Sequence, residues 1–126
     1  MRILVATACC ALLFSSQQAI AQEAATRTYS QKALLKNWAL SRCLAQVYAD
    51  STTKDDANAT AAAYLEFGRQ PMEAYEAATR LIDQYARRSY SGSVKSNFNT
   101  MKCIDLFHSV ELERLASKFS KTGSPP

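Results

Sequence analysis

The sequence predicts an all-α fold, a compact bundle of about five helices stapled by one disulfide. Three observations predict it. Apolar residues recur at spacings of three and four in one segment after another, which is the period of an amphipathic helix. No run alternates β-branched with polar residues, as a half-buried strand would. Serines, aspartates, a glycine and a proline stand where such helices would start and stop.

The elements follow in order. "MRILVATACCALLFSSQQAIAQEA" opens with Arg2, continues with an apolar stretch from Ile3 to Phe14, and reaches the small-residue pattern Ala19-Ile-Ala21. This is the layout of a cleavable secretory signal over residues 1–21. The apolar stretch is too short to span a bilayer, and the alternative is a short N-terminal anchor. Cleavage removes Cys9 and Cys10 and leaves a single domain, residues 22–126, with an ordered core at about 29–120. No stable membrane anchor remains after it. A chain of this size buries a modest core and gains from a cross-link. Cys43 and Cys103 remain, 60 positions apart, and an exported chain favours their pairing. Two buried free thiols are the alternative.

Ser30 is placed to cap a first helix, in which Leu35, Ala39, Cys43 and Val47 form a stripe flanked by Leu40 and Leu44. Leu34 and Trp38 lie on another side; Trp38 is either covered by a neighbouring helix or free to anchor a partner. "DSTTKDD", residues 50–56, reads as a polar loop, with Asp55 or Asp56 capping an alanine-rich second helix that Gly68 stops. Pro71 suits the first turn of a third helix. There Met72, Tyr75, Ala78, Ile82 and Tyr85 face inward, while Glu76, Arg80, Asp83 and Arg87 face outward with i, i+4 charge pairing. "SYSGSVKS", residues 89–96, interrupts the helical pattern. Ser96 is then placed to cap a fourth helix, whose apolar residues Phe98, Met101, Cys103, Ile104, Leu106 and Phe107 surround most of its axis and predict a central position. Ser109 restarts a fifth helix with Leu112, Leu115, Ala116 and Phe119 on one side, and "KTGSPP" is a polar tail.

Composition and motifs exclude more than they propose. Without Arg2 the chain carries 14 basic and 11 acidic residues. That mild balance, with no basic block, gives no sign of nucleic-acid binding. One histidine, His108, stands at a helix junction, where capping or packing explains it better than catalysis. There is no nucleophile elbow, no H-E-x-x-H and no glycine-rich phosphate loop, so neither a cofactor nor an enzyme is predicted. What remains is a binding module or an inhibitor.

Four blocks, "WALSRCLAQVY", "DANATAAAYLEFG", "EAYEAATRLIDQY" and "YSGSVKSNFNTMKCIDLFHSVELERL", resemble those of the type VI secretion amidase immunity proteins that neutralise the fourth amidase effector family. The resemblance runs from about Tyr29 to Phe119. It implies a periplasmic, all-helical, usually dimeric protein that makes a heterotetramer with its effector. The partner it implies is a papain-like cysteine amidase cutting peptidoglycan stem peptides between D-glutamate and meso-diaminopimelate. Inhibition in this pattern is by occlusion of the substrate groove. The resemblance then gives "SYSGSVKS" a role. Ser89, Tyr90, Ser91, Gly92, Ser93, Val94 and Lys95 are the expected plug, and Glu76, Arg80, Asp83 and Arg87 the surrounding rim. Gly92 lacks a Cβ and is free to take positive φ. Ser91 and Ser93 offer hydroxyls, Tyr90 anchors the base or fills a pocket, and Val94 returns the chain to the core. The rival plug is the loop at 50–56. The alanine-rich second helix and Trp38 are the expected dimer contacts. A second class is a periplasmic module for a small ligand or for envelope stress, with Tyr64, Phe67, Tyr75 and Tyr85 lining an apolar pocket.

Overall fold

The computed structural model describes residues 25–121. The leader read at residues 1–21, with Cys9 and Cys10, lies outside them, as do the final residues of the tail. A short 3₁₀ turn, Ala25–Thr28, precedes five helices: α1 Gln31–Val47, α2 Ser51–Phe67, α3 Met72–Ala86, α4 Asn99–His108 and α5 Val110–Ser120. No strand occurs among the described residues.

α1 is the axis of the bundle. It packs against α2, α3, α4 and α5, and it can because two of its rows are buried: Leu34, Trp38, Ser41 and Ala45, and beside them Leu35, Ala39 and Cys43. Its start is fixed by Ser30, whose hydroxyl accepts from the Ala33 amide at 3.1 Å, satisfying one of the orphan donors of the first turn. Gln31 ties that end to its neighbours. Its side chain donates to the Phe67 carbonyl at 3.1 Å and accepts from the Arg69 amide at 2.7 Å. Trp38 is covered by Tyr75 of α3, the rings edge-to-face at 5.0 Å, and only 9% of it is exposed. It is core, and the partner-anchor reading of Trp38 is withdrawn.

Two helix starts differ from the sequence reading. α2 begins at Ser51 because Asp50 caps it, its carboxylate accepting from the Thr53 amide at 2.8 Å. The Ser-Thr-Thr run has weak intrinsic helix propensity, but the cap overrides it. Residues 51–56 are therefore helix, and the rival plug loop does not exist. α4 begins at Asn99, after Phe98, and Ser96 does not cap it.

The predicted central position of α4 is also corrected. Cys103 and Leu106 are fully buried, but Met101 and Ile104 are 46% and 48% exposed. α1 already occupies the centre, so α4 has one inner side and shows the rest of its apolar surface to solvent. In α3 the buried residues are Ala74, Ala78, Ile82 and Tyr85, while Met72, at the open end of the helix, is exposed. Gly68 stops α2 for a different reason from the one its type suggests. Its backbone is extended rather than left-handed, and a Cβ there would collide with the Tyr75 hydroxyl.

Cys43 of α1 and Cys103 of α4 are bonded, with Cα atoms 5.6 Å apart and both side chains fully buried. Beyond the disulfide, Asn99 donates to the Val47 carbonyl at 2.9 Å and the Tyr48 hydroxyl meets that of Thr100. The end of α1 thus holds the start of α4. On the far side Glu113 of α5 pairs with Lys32 and Lys36 of α1, the latter at 3.0 Å. Lys36 also lies 4.6 Å over the Phe107 ring.

Closing a loop of this length constrains the unfolded chain by roughly 4 kcal/mol. Replacing both Cys43 and Cys103 by alanine is expected to lower the unfolding free energy by about that much in urea titrations, and reductant is expected to shift the wild-type midpoint but not the variant's. A second expectation concerns acid. The Thr53 amide bond lowers the Asp50 pKa, and the bonds from Lys32 and then Lys36 lower that of Glu113. In the unfolded chain both carboxyls return to about 4. Their stabilising contributions are therefore complete above that value and are lost as pH falls through the lower folded values. Thermal midpoints should fall on acidification below about pH 4, and the fall should be smaller in Asp50→Asn and Glu113→Gln.

Candidate functional site

Connections in this bundle are short, at residues 48–50, 68–71 and 109, except for one. Residues 87–98 leave the end of α3 and return at the start of α4 with no regular structure. Irregular segments this long are uncommon in small domains and are usually either functional or linkers.

Physical chemistry holds the segment at both ends and leaves the middle bare. At the entry, the Arg88 guanidinium lies 3.4 Å from the centroid of the Tyr85 ring, itself buried in the core. Tyr90 turns inward and donates from Oη to Oδ2 of Asp105 on α4 at 2.5 Å. That bond raises the Tyr90 pKa, since the carboxylate holds the protonated phenol. The neighbouring hydroxyl in turn raises the pKa of Arg88. At the exit, Phe98 takes the left-handed conformation, φ 49° and ψ 39°, which is unfavourable for a residue with a Cβ. Its amide donates to Ser96 Oγ at 3.2 Å. Its ring lies under Gly92, where an added Cβ would stand 2.8 Å from Cζ. Between these holds Ser91, Ser93, Val94 and Lys95 are exposed, and the chain bends at Ser93–Val94.

The expected plug residues thus divide. Tyr90 is the base anchor. Gly92 is required, but by the Phe98 ring and not by its torsions, because no glycine among the described residues has positive φ. Val94 does not return the chain to the core: it is 69% exposed and stands at the bend. Glu76, Arg80 and Arg87 are exposed and Asp83 is half-buried. Their spacing puts them on one stripe, opposite the face that buries Ala78 and Ile82. The expected ion pairs along that stripe are not formed; Asp83 instead accepts from Gln46 of α1 at 3.0 Å. From Glu76 to Arg87 the stripe runs about 16 Å along the axis and ends at the loop base. Sequence reasoning missed Arg88, Phe98 and Asp105. The tertiary contact between Tyr90 and Asp105 is invisible to periodicity, although the aromatic in Tyr90-Ser-Gly invited a search for a partner.

No chemistry is assembled around the loop. Among the described residues no cluster of His, Cys, Asp and Glu is arranged to hold a metal, and no helix is long and apolar enough to cross a membrane. His108 is exposed, its ring edge-on to Phe107 at 5.3 Å. The four aromatics proposed to line a ligand pocket are dispersed. Tyr64 packs near Tyr29, Phe67 lies under Arg27, Tyr75 is against Trp38, and Tyr85 is in the core.

Residues 33–116, from α1 into α5 and including the bonded Cys43 and Cys103 and the whole loop, match the family described as Tai4, type VI secretion system (T6SS), amidase immunity protein. The chain belongs to the type VI secretion amidase immunity family. Solved structures agree. A chain in the Tae4/Tai4 effector–immunity system of Salmonella typhimurium is 54% identical, with 77% of this chain and 96% of that one covered at a TM-score of 0.74. A chain in the type VI Tae4–Tai4 effector–immunity complex of Enterobacter cloacae is 28% identical over 76% of this chain and 98% of that one, at a TM-score of 0.69. A third, from work on type VI-secreted toxins and self-resistance proteins of Serratia marcescens, is 33% identical over 82% and 87%, at 0.73. A comparison with curated proteins finds no match. Membership of the Tai4 family makes this an immunity protein, an inhibitor rather than an enzyme.

Proposed function

We propose that the protein is exported by cleavage after residue 21 and acts in the periplasm. There, as one domain over residues 22–126, it occludes the substrate groove of a type VI-delivered peptidoglycan amidase. Ser91 to Lys95 enter the groove, Ser89 and Tyr90 form the stem, and Glu76, Arg80, Asp83 and Arg87 make the rim. The observation that carries this reading is the loop at 87–98: an exposed tip on a stem fixed to two helices, in a family with solved complexes of Tae4 and Tai4.

A groove built to take a stem peptide accepts a slender backbone segment, and the tip is slender because Ser91, Gly92 and Ser93 carry little bulk. Hydroxyls at 91 and 93 supply donors and acceptors for groups that otherwise hold peptide amides. Val94 supplies the apolar contact. Inhibition of this kind forms no bond and needs no reactive group; it needs the tip to stand where the substrate would. Seven residues alone cover less than the roughly 800 Å² per partner of a stable interface, so the α3 stripe beside the loop base completes the footprint. A homodimer, giving a heterotetramer with the effector, belongs to the same proposal. Large apolar residues left exposed, among them Leu65 on α2 and Met101 and Ile104 on α4, support it.

Two measurements test this. Ser91→Arg and Ser93→Arg should weaken binding to the cognate Tae4-type amidase by about a hundredfold or more, the scale of a lost hot spot, with the helical circular dichroism unchanged. Wild-type affinity in both variants would sink the plug. Sedimentation of the mature protein at micromolar concentration should give a dimer, and a monomer there would remove the dimer from the proposal.

A further inference from the structure

We propose that Asp105, on α4 and outside the loop, is a positioning residue for inhibition: it fixes Tyr90 and so sets the direction in which the tip leaves the bundle. The inference rests on the plug reading above.

The tip has no hold of its own. Among the described residues, Ser91, Ser93, Val94 and Lys95 make no side-chain hydrogen bond or ion pair, and small flexible residues lose much conformational freedom when they are seated in a partner. A plug of this composition binds tightly only if its direction is set beforehand. Tyr90 is the last residue before the tip with a fixed side chain, and it is gripped from two sides. On the α3 side Arg88, itself a loop residue, lies over the buried Tyr85 ring of α3 and beside the Tyr90 hydroxyl. From α4, Asp105 accepts the hydroxyl proton at 2.5 Å.

Of the two grips, Asp105 is the stiffer. It sits between Cys103, bonded to α1, and Leu106, fully buried, so the rotation and register of α4 at this point are fixed by covalent and core contacts. The path from the centre of the fold to the tip therefore runs Cys43, Cys103, Asp105, Tyr90. Asp105 is itself exposed and serves no other described hydrogen bond or ion pair. Removing its carboxylate empties no core space, and alanine is a better helix former at the site.

The test measures affinity for the cognate Tae4-type amidase, ¹⁵N order parameters of Ser91 to Lys95 in the free mature protein, and thermal midpoints. The variants are Asp105→Ala, Asp105→Asn, Tyr90→Phe, the Tyr90→Phe/Asp105→Ala pair and, as a tip control, Ser93→Arg. Asp105→Ala and Tyr90→Phe are each expected to weaken binding about ten- to a hundredfold, because the order of the tip, set beforehand in the wild type, must then be supplied on binding. The pair should be no worse than either alone, since both remove the same bond. Order parameters at the tip should fall from about 0.8 to below 0.6, with thermal midpoints unchanged. Asp105→Asn, which keeps an acceptor, should recover most of the affinity. Wild-type binding by Asp105→Ala and Tyr90→Phe, with binding lost in Ser93→Arg, overturns the positioning role and leaves the plug standing. Weakened binding without a change in tip order also overturns it, because Asp105 would then act by direct contact. Wild-type binding by Ser93→Arg removes the plug itself, and this inference with it.

Discussion

The bond between Cys43 and Cys103 is the constraint on which the other parts depend. α1 packs on all four other described helices, and α4 is one of the two shortest, with a single buried side. Ten residues with one inner face carry little apolar burial of their own. The disulfide gives α4 a fixed depth and rotation against α1, and Asn99 and Tyr48 add polar ties at its start. With α4 fixed, the chain from α3 must cross a set distance to reach it, and residues 87–98 are the crossing. A cross-link in the core and an exposed loop above it are therefore parts of one arrangement.

The loop shows how a small domain can present a shape without building a rigid element for it. Its two ends are held by unlike means. The entry uses a cation over an aromatic ring and a phenol on a carboxylate. The exit uses a residue in an unfavourable backbone conformation, kept there by a ring under a glycine and by a serine hydroxyl on its amide. Strained backbone of this kind persists where its surroundings over-determine it, and Phe98 has contacts on both sides. The stripe from Glu76 to Arg87 comes from ordinary helix amphipathicity: the face opposite the core is polar and straight, and it leads to the loop base.

Much of the fold was legible in the sequence because its signals are local. Ser30 and Ser109 cap where a capping serine should, the α1 rows follow the helical period, and Cys43 and Cys103 pair as expected. The failures were those of local reasoning facing tertiary choice. Asp50 overrode the poor propensity of Ser51 to Thr53. Met101 and Ile104 looked like core because apolar residues surrounded the α4 axis, yet a helix has only as many buried faces as it has neighbours. The loop could be found by its composition, and its role came from family resemblance. The division of labour inside it could not be read, because Val94 as tip and Tyr90 as anchor are settled by a contact with Asp105, fifteen positions on.

The bareness of the tip has an evolutionary side. Substitutions at exposed positions without partners barely touch folding, so Ser91, Ser93, Val94 and Lys95 form a short text that can be rewritten while the bundle stays intact. Gly92 is the exception, since an added Cβ would press on the Phe98 ring. Under the proposed plug role, this separation lets the contact surface change at four positions, none of which is asked to hold the molecule together.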